Sequence, residues 1–282
     1  MSPSAGAPDA GLLERVWRFV EALPSRAPRS DGRARPWVLG ISGPQGSGKS
    51  TLARALVARA AERGLRVVDV SIDDFYLTRS EQLALAAEHP GCRIYEDRGY
   101  PGTHDVALGA RTIDALLALG PGERLSLVRY DKSAHEGRGD RAARELWPMI
   151  EGPLDGVVLE GWMLGFAPIS QGELEDAALA PANEALAAYA AWNERLDGLV
   201  VLEASTLEDV VRWRVEAERA RRAAGQGAMD DEAAEDYVRR FLPAYAAWVP
   251  GLVAHPELRG PSLSVLLGPD RAPLAYGAER TR

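Results

Sequence analysis

Short apolar runs alternate with helix-like segments along most of the chain. Between the first two runs, Leu52, Leu56 and Ala60 recur at four-residue spacing, and Gly64 then predicts a helix end. Continuously apolar runs are typical of strands that are buried on both faces. Strands separated by helices predict an α/β fold, a mostly parallel sheet with helices on both sides. The predicted strands are 38–42, 66–72, 125–130, 156–160, 198–203 and 263–267.

The N-terminal segment follows a different pattern. Residues 11–23 have helical spacing of apolar positions, and residues 24–36 are rich in Pro, Arg and Ser. We therefore expect an accessory helix and linker over residues 1–36, tethered to a single domain over residues 37–282. The side chains on the apolar side of the helix are Leu12, Leu13, Val16, Trp17 and Val20.

Composition narrows the possible partners. Hydrophobic residues make up 46% and charged residues 26% of 282 residues, as in an average soluble globular protein, and the net charge is −8. Nucleic acid is disfavoured as a partner because counterion release rewards a basic surface. No apolar window is long enough for a bilayer, and the first residues lack a signal-peptide pattern. Because Cys92 is the single cysteine, we expect a reducing compartment and a cytoplasmic protein.

A phosphate-binding motif is the strongest chemical signal. Residues 43–50, GPQGSGKS, fit the P-loop pattern G-x-x-x-x-G-K-[ST] between a predicted strand and a predicted helix. Glycines let backbone N–H groups converge on phosphate oxygens, and the helix N-terminus adds a positive dipole end. We expect Lys49 to reach the β- and γ-phosphates of ATP, and the Ser50 hydroxyl to coordinate Mg²⁺. The predicted nucleotide contacts are Gly43, Pro44, Gln45, Gly46, Ser47, Gly48, Lys49, Ser50 and Thr51.

Carboxylates follow two further predicted strands. Glu160 ends the run GVVLE, which would place it beside the P-loop as a second magnesium residue. The alternative is a solvent-facing strand end, as Glu203 would be after a similar run. Asp73 and Asp74 follow the second strand. Phosphoryl transfer needs an oriented nucleophile, so we assign Asp73 to the acceptor hydroxyl, with Asp74 as second candidate and a pair of turn-forming aspartates as the alternative.

The motifs together resemble a known kinase family. The P-loop followed by SIDDFYL (71–77) resembles the phosphoribulokinase, uridine kinase and pantothenate kinase group of P-loop kinases. Further segments resemble D-glycerate 3-kinase, and the resemblance covers about residues 37–270. It implies ATP- and Mg²⁺-dependent phosphorylation of D-glycerate to 3-phosphoglycerate. It also implies that Asp73 is the catalytic base, that Tyr130 lies near the acceptor, and that an arginine-rich helix forms a lid. The segments are 98–105, 129–142, 147–153, 159–166, 210–218 and 241–245.

The predicted acceptor site is rich in cations. Glycerate carries a carboxylate, which is best bound by the bidentate fork of an arginine. The alternative is a solvated loop in which Arg138 and Arg141 pair with Glu136 and Asp140. The predicted acceptor-site residues are Asp74, Tyr76, Arg98, His104, Asp105, Arg129, Tyr130, Lys132, Arg138 and Arg141.

The predicted lid covers about residues 205–235. Residues 205–208 read Ser-Thr-Leu-Glu, a capping box that starts a helix, and five arginines fall between positions 212 and 222. A glycine-containing segment follows, which suits closure over a triphosphate. We predict Arg212 and Arg219 as phosphate ligands. Surface ion pairs such as Arg212 with Glu216 are the alternative.

The sequence favours a small-molecule kinase, with D-glycerate as the acceptor. Two GTP- and transporter-type signatures, Asn-Lys-x-Asp and Leu-Ser-Gly-Gly-Gln, are absent from the sequence. Competing interpretations are a kinase for a nucleoside- or pantothenate-like alcohol, an ATP-binding regulatory module without an acceptor, and a kinase for nucleic-acid ends. Asp73, Tyr130 and Lys132 favour a site with an acceptor.

Overall fold

The computed structural model describes residues 7–24, 32–225, 227–250, 252 and 260–277. Parts of the expected linker (25–31) and of the expected lid (226) lie outside the described residues. The α-helices are α1 (Ala10–Glu21), α2 (Lys49–Glu62), α3 (Arg79–Glu88), α4 (Arg93–Glu96), α5 (Val106–Ala118), α6 (Ala180–Asn193), α7 (Leu207–Ala223), α8 (Asp231–Arg239) and α9 (Leu242–Trp248). The strands are β1 (Trp37–Ser42), β2 (Val67–Ser71), β3 (Arg124–Ser126), β4 (Tyr130–Asp131), β5 (Asp140–Arg141), β6 (Met149–Glu151), β7 (Gly156–Gly161), β8 (Gly198–Ala204), β9 (Ser262–Leu267) and β10 (Pro273–Tyr276).

The main sheet has the strand order β10-β9-β8-β1-β7-β2. The strands from β9 to β2 are parallel to their neighbours, and β10 pairs antiparallel with β9. Five of the predicted strands therefore form the parallel part of the sheet, and the prediction of a mostly parallel α/β sheet is confirmed.

Alternate side chains of the central strands enter two separate hydrophobic clusters, one on each face of the sheet. Val157 and Leu159 of β7 pack on one face, among side chains of α5, α6 and α9. Val158 packs on the other face, among side chains of α1 and α2. Because both faces are buried, these strands read as continuous apolar runs. No helix in the described part of the chain combines the length and the apolar character that a membrane crossing needs.

The order of the parallel strands determines where the site can form. β7 lies between β1 and β2, with Ser42 opposite Gly161 and Ser71 opposite Glu160. The carboxyl ends of parallel strands meet at one edge of a sheet, which is where ligands bind in open α/β folds. The P-loop after β1, the end of β7 and the turn after β2 therefore converge at this edge.

One expectation about strands is wrong, and one strand was not predicted. Residues 125–130 do not join the main sheet: β3 pairs with β6 and β4 pairs with β5, in two small antiparallel pairs. Their apolar residues Leu127 and Val128 lie in the connection between β3 and β4 and are buried in the core, so the run is apolar without being a long strand. Strand β10 was not predicted: it is a four-residue edge strand that begins at a proline, and its side chains are partly or fully exposed.

Two expectations about helices also change. α7 begins one residue later than predicted, with Thr206 as its N-cap and Asp209 as the capping-box partner. α1 is not an accessory helix: Val16 and Trp17 are buried in the cluster that also contains Leu52 of α2. The guanidinium of Arg63, after α2, lies 4.7 Å from the Trp17 ring, and the Trp17 indole donates to Glu21.

A Trp17→Ala substitution should reveal how much α1 stabilises the fold. Because Trp17 is 2% exposed, we expect the free energy of unfolding to fall by about 3–5 kcal/mol. Arg18→Ala is the matched control, since the Arg18 side chain is 70% exposed and should change stability by less than about 0.5 kcal/mol. Urea unfolding of both variants provides the comparison. A loss in Trp17→Ala as small as that in Arg18→Ala would contradict the integration of α1 into the core.

Candidate active site

The P-loop adopts a turn that only glycine accommodates at two positions. Gly46 has φ +79° and Gly48, the N-cap of α2, has φ +92°. A Cβ atom on Gly46 would lie 2.8 Å from the Cβ of Trp213 and 2.9 Å from its backbone. The loop therefore passes directly against α7, and its shape depends on the absence of a side chain at Gly46.

Three residues far away in the sequence hold the P-loop in place. Trp213 is fully buried against it. Arg271, in the turn between β9 and β10, donates from Nε to the carbonyl of Gly46 at 2.7 Å. The backbone N–H of Gln45 donates to the Tyr245 hydroxyl at 3.0 Å. The sequence pattern identified neither Arg271 nor Tyr245 as a support of the P-loop, because these contacts join residues about two hundred positions apart and no local pattern marks them.

The predicted lysine, serine and glutamate lie together at the end of the loop. The Lys49 ammonium is buried and donates to the carbonyl of Pro44 at 2.8 Å. Burial lowers the pKa of Lys49, and the carboxylates of Glu160 and Asp73 oppose that effect. The Ser50 hydroxyl donates to Glu160 Oε1 at 2.8 Å. This is a pair of hydroxyl and carboxylate oxygens, the ligand type that Mg²⁺ prefers, so the residues present fit the metal.

Glu160 and Glu203 both lie at the ends of apolar strands, but their surroundings differ. Glu160 is 7% exposed and lines the cavity between the P-loop and Asp73, whereas Glu203 does not. Burial raises the pKa of Glu203, and a hydrogen bond to Ser264 of β9 opposes this. The strand-end position alone therefore did not distinguish the two glutamates.

Asp73 is held in a short 3₁₀ turn, Ile72–Phe75, directly after β2. Its backbone N–H donates to the Ser71 hydroxyl, and its carboxylate accepts from the Lys132 ammonium at 2.6 Å. Burial by itself would raise the pKa of Asp73, but the charge and hydrogen bond of Lys132, with Lys49 nearby, lower it to about 2. The same ion pair raises the pKa of Lys132. Asp73 is therefore an ionised carboxylate at neutral pH.

Asp74, the second candidate, has a different role. Its carboxylate accepts from Arg129 at 2.7 Å and from the backbone N–H of Tyr130 at 3.0 Å. These bonds join the turn after β2 to β4, and Asp74 does not line the cavity. Arg129, proposed from the sequence as a carboxylate ligand, is engaged in the same structural contact.

A cavity of about 820 Å³ joins the P-loop to Asp73. Its walls contain the nucleotide-side and the acceptor-side residues, so one space could hold a phosphate donor and an acceptor together. The predicted site residues that line it are Gln45, Gly46, Lys49, Ser50, Asp73, Tyr76, Arg98, Lys132, Arg138 and Glu160. Those that do not are Gly43, Pro44, Ser47, Gly48, Thr51, Asp74, His104, Asp105, Tyr130, Arg141, Arg212 and Arg219.

Two of the residues outside the cavity are structural supports. Asp105 caps α5 by accepting from the Leu108 N–H at 2.8 Å. His104 is buried, stacks on Tyr76 at 4.2 Å, and its Nδ1 lies 2.8 Å from the Tyr189 hydroxyl. Burial lowers the pKa of His104 to about 3, despite the nearby Asp73, so the ring is neutral. Both residues thus lie behind Tyr76 and support the wall of the cavity. The sequence analysis had instead predicted that they contact the acceptor.

Arg141 and Tyr130 form a second support behind the same wall. A guanidinium nitrogen of Arg141 lies 3.4 Å from the carbonyl of Tyr76 and 4.0 Å from Asp105. The Tyr130 ring lies edge-on to Tyr76 at 5.4 Å and beneath the Arg98 guanidinium at 5.6 Å. Their contacts fix Tyr76 and Arg98, which do line the cavity.

The arginines of α7 that face the cavity are not the predicted pair. Arg212 pairs with Asp209, and Arg219 pairs with Asp231 at 2.7 Å. Arg214 and Arg221 line the cavity, and both lie near the buried carboxylate of Glu218, at 2.6 and 3.7 Å. Helical spacing explains the difference. Residues seven positions apart share one face of a helix, so Arg212 and Arg219 lie on one face of α7, and Arg214 and Arg221 lie on another.

Comparisons with known proteins point to one group of kinases. No protein-family model matches the chain. The chloroplastic D-glycerate 3-kinase of Arabidopsis thaliana is 43% identical over 240 residues, which cover 84% of this chain, and the chain spans about half (51%) of that relative's length. An uncharacterised kinase of Schizosaccharomyces pombe is 35% identical over 275 residues, covering 93% of this chain and 97% of the relative. The structure of D-glycerate 3-kinase from Cryptococcus neoformans superposes with a TM-score of 0.79, at 27% identity over 95% of this chain and 97% of that one.

The contact between Gly46 and Trp213 predicts a large effect of a single methyl group. Gly46→Ala should lose about 1–2 kcal/mol of folding stability from the left-handed backbone, plus about 1–3 kcal/mol from the clash with α7. Gly64→Ala is the control, because Gly64 has a similar φ of +73° and no atom of the described residues lies within 4 Å of the position that its methyl carbon would take. Urea unfolding measures both losses. Equal losses in the two variants would show that the loop does not press against Trp213.

Proposed function

The chain belongs to the D-glycerate 3-kinase family of P-loop kinases, and from this premise we propose that it transfers the γ-phosphoryl group of ATP to a hydroxyl of D-glycerate, giving 3-phosphoglycerate. The family resemblance seen in the sequence is thereby confirmed. Because the plant relative is a chloroplastic protein, the cytoplasmic location of this chain stays a prediction.

One observation carries the proposal. The Asp73–Lys132 ion pair and the P-loop residues Lys49 and Ser50 line the same cavity. An ionised carboxylate next to a phosphate-binding loop is what transfer to an alcohol requires, because the carboxylate can orient the hydroxyl while the loop holds the donor. A module that only binds the nucleotide would not require this carboxylate.

The nucleotide half of the site consists of the loop and the residues facing it. We assign the triphosphate to the loop amides and the Lys49 ammonium. Ser50 and Glu160 would hold Mg²⁺, which when bound neutralises charge on the β- and γ-phosphates. Arg214 and Arg221 of α7 line the cavity near their partner Glu218 and add positive charge to the nucleotide half. These arginines replace Arg212 and Arg219 in the proposal.

The acceptor half depends on Asp73. We assign its carboxylate to accept a hydrogen bond from the attacking hydroxyl. A carboxylate with a pKa of about 2 takes up a proton weakly, so its main contribution is to orient the hydroxyl, with proton transfer late in the reaction. Phosphoryl transfer tolerates this because its transition state demands little deprotonation of the nucleophile. Lys132 keeps Asp73 ionised and adds positive charge near the transferred group.

Asp73→Asn tests the role of the carboxylate. The neutral amide removes the negative charge that orients the hydroxyl and cannot take up its proton, so we expect kcat with D-glycerate to fall by about 10²- to 10⁴-fold. Binding of MgATP, measured by titration calorimetry, should stay near the wild-type value because the P-loop is unchanged. Coupled ADP release measures turnover, and phosphorus NMR identifies the product as the 3- or the 2-phosphate.

Asp114→Asn is the matched control for this experiment. Asp114 lies on α5, pairs with Arg195 at 2.6 Å and does not line the cavity. Its amide variant should turn over D-glycerate at the wild-type rate. Near-normal kcat in Asp73→Asn would remove Asp73 from the reaction, and wild-type protein that turns over other alcohols but not D-glycerate would refute the proposed acceptor.

A further inference from the structure

Most of the cations that line the cavity are already engaged by the protein. Lys132 is paired with Asp73, and the Lys49 ammonium lies within the P-loop. The guanidinium of Arg98 donates to the backbone carbonyls of Gly137, Arg138 and Lys132, so it holds the loop between β4 and β5 in shape. Each of these three cations therefore already holds a part of the site in place.

Two arginines on the acceptor side have donors to spare. Arg138 and Arg240 both line the cavity and share one partner, Asp97. Arg138 Nη1 lies 2.9 Å from Asp97 Oδ1, and Arg240 Nη1 lies 3.9 Å from Asp97 Oδ2. Each contact uses one edge of a guanidinium that has five N–H donors. The two side chains are 54% and 57% exposed, so their remaining donors are accessible.

The position of Arg240 is fixed by three contacts. It follows α8 directly, and its backbone carbonyl accepts from the hydroxyl of the buried Tyr100. Its guanidinium lies 5.1 Å from the centre of the Tyr237 ring, which also lines the cavity. Asp97 offsets the repulsion between Arg240 and Arg138 and keeps both near one carboxylate. The two guanidiniums are therefore held near each other in advance, and with Asp97 they keep a net positive charge that favours binding of one further anion.

The Tyr237 ring also indicates which ligand the pair serves. Arg214, which we assign to the phosphates, lies 4.9 Å from the same ring. Tyr237 thus contacts one cation of the nucleotide wall and one cation near Asp97. The two pairs of arginines have different carboxylate partners, Glu218 and Asp97, so Arg138 and Arg240 form a positive group of their own that remains for the acceptor.

We propose that Arg138 and Arg240 bind the carboxylate of the acceptor and make the site selective for small hydroxy acids over neutral alcohols. An arginine fork matches the planar geometry of a carboxylate and binds it by charge-assisted hydrogen bonds. This inference rests on the proposed function, since it assumes that the acceptor's hydroxyl is bound at Asp73. It adds Arg240, which the sequence analysis did not identify.

Two substrates separate charge recognition from general damage to the site. D-glycerate and D-glyceramide have the same hydroxyl groups and differ in the charge of the acid group. Arg240→Gln and Arg138→Gln should each lower kcat/KM for D-glycerate by about 10- to 100-fold, mainly through a higher KM, because a hydrogen-bonded charge is lost. With D-glyceramide, kcat/KM should change less than about threefold, and the KM for MgATP should stay at the wild-type value.

Arg239→Gln is the matched control on the same helix. Arg239 pairs with Glu208 and Glu235 and does not line the cavity, so both substrates should behave as with wild type. Thermal unfolding of all three variants verifies that they are folded, as expected for half-exposed side chains.

The outcomes separate this inference from the proposed function. An unchanged ratio of kcat/KM for D-glycerate and D-glyceramide in both cavity variants, with wild-type protein active on D-glycerate, would overturn the carboxylate site and leave the kinase function standing. Absence of D-glycerate turnover by wild-type protein would refute both. A selective loss for D-glycerate in either variant supports the proposal.

Discussion

The parallel pairing of β7 with both β1 and β2 is the constraint on which the site depends. It places the P-loop, Glu160 and Asp73 at the ends of three adjacent strands. A slip of one residue in β7 would turn Glu160 to the other face of the sheet and remove it from Ser50. The two hydrophobic clusters that bury alternate residues of β7 prevent that slip, so the packing of the core fixes the chemistry at the edge.

Charge compensation is the second organising feature of the site. Burying an isolated charge is costly, and several ionic groups around the cavity are paired with groups of opposite charge. Asp73 has Lys132, Arg214 has Glu218, and Arg138 and Arg240 share Asp97. These pairs keep cations and carboxylates at defined positions in the absence of ligand. Such preorganisation favours phosphoryl transfer, which relies on positioning and electrostatics more than on covalent help from the protein.

The parts of the site that were predictable lie within short stretches of sequence. The P-loop residues are contiguous, and Asp73 and Glu160 follow apolar runs, so local patterns were enough to bring them together. Choosing between the arginines of α7 needed helical spacing as well as charge. Arg214, Glu218 and Arg221 have the i, i+4, i+7 spacing of one helix face, and this spacing is visible in the sequence. Their charge alone did not distinguish them from Arg212 and Arg219.

Other features depend on tertiary contacts that no local pattern contains. The support of the P-loop by Arg271 and Tyr245 joins segments that only the sheet order brings together. His104 has the residue type of a catalytic group, but its neighbours bury it behind Tyr76. Residues 125–130 have the apolar sequence of a buried strand without joining the main sheet. Leu127 and Val128 are apolar because they are buried in the core, and burial alone does not make a segment a strand.

The most direct test of the central claim is the crystal structure of the protein with a non-hydrolysable ATP analogue, Mg²⁺ and D-glycerate. We expect the triphosphate in the P-loop, and a glycerate hydroxyl about 2.6–3.2 Å from the Asp73 carboxylate on the side that faces the γ-phosphate. Glycerate bound away from Asp73, or a γ-phosphate that points out of the cavity, would contradict the claim.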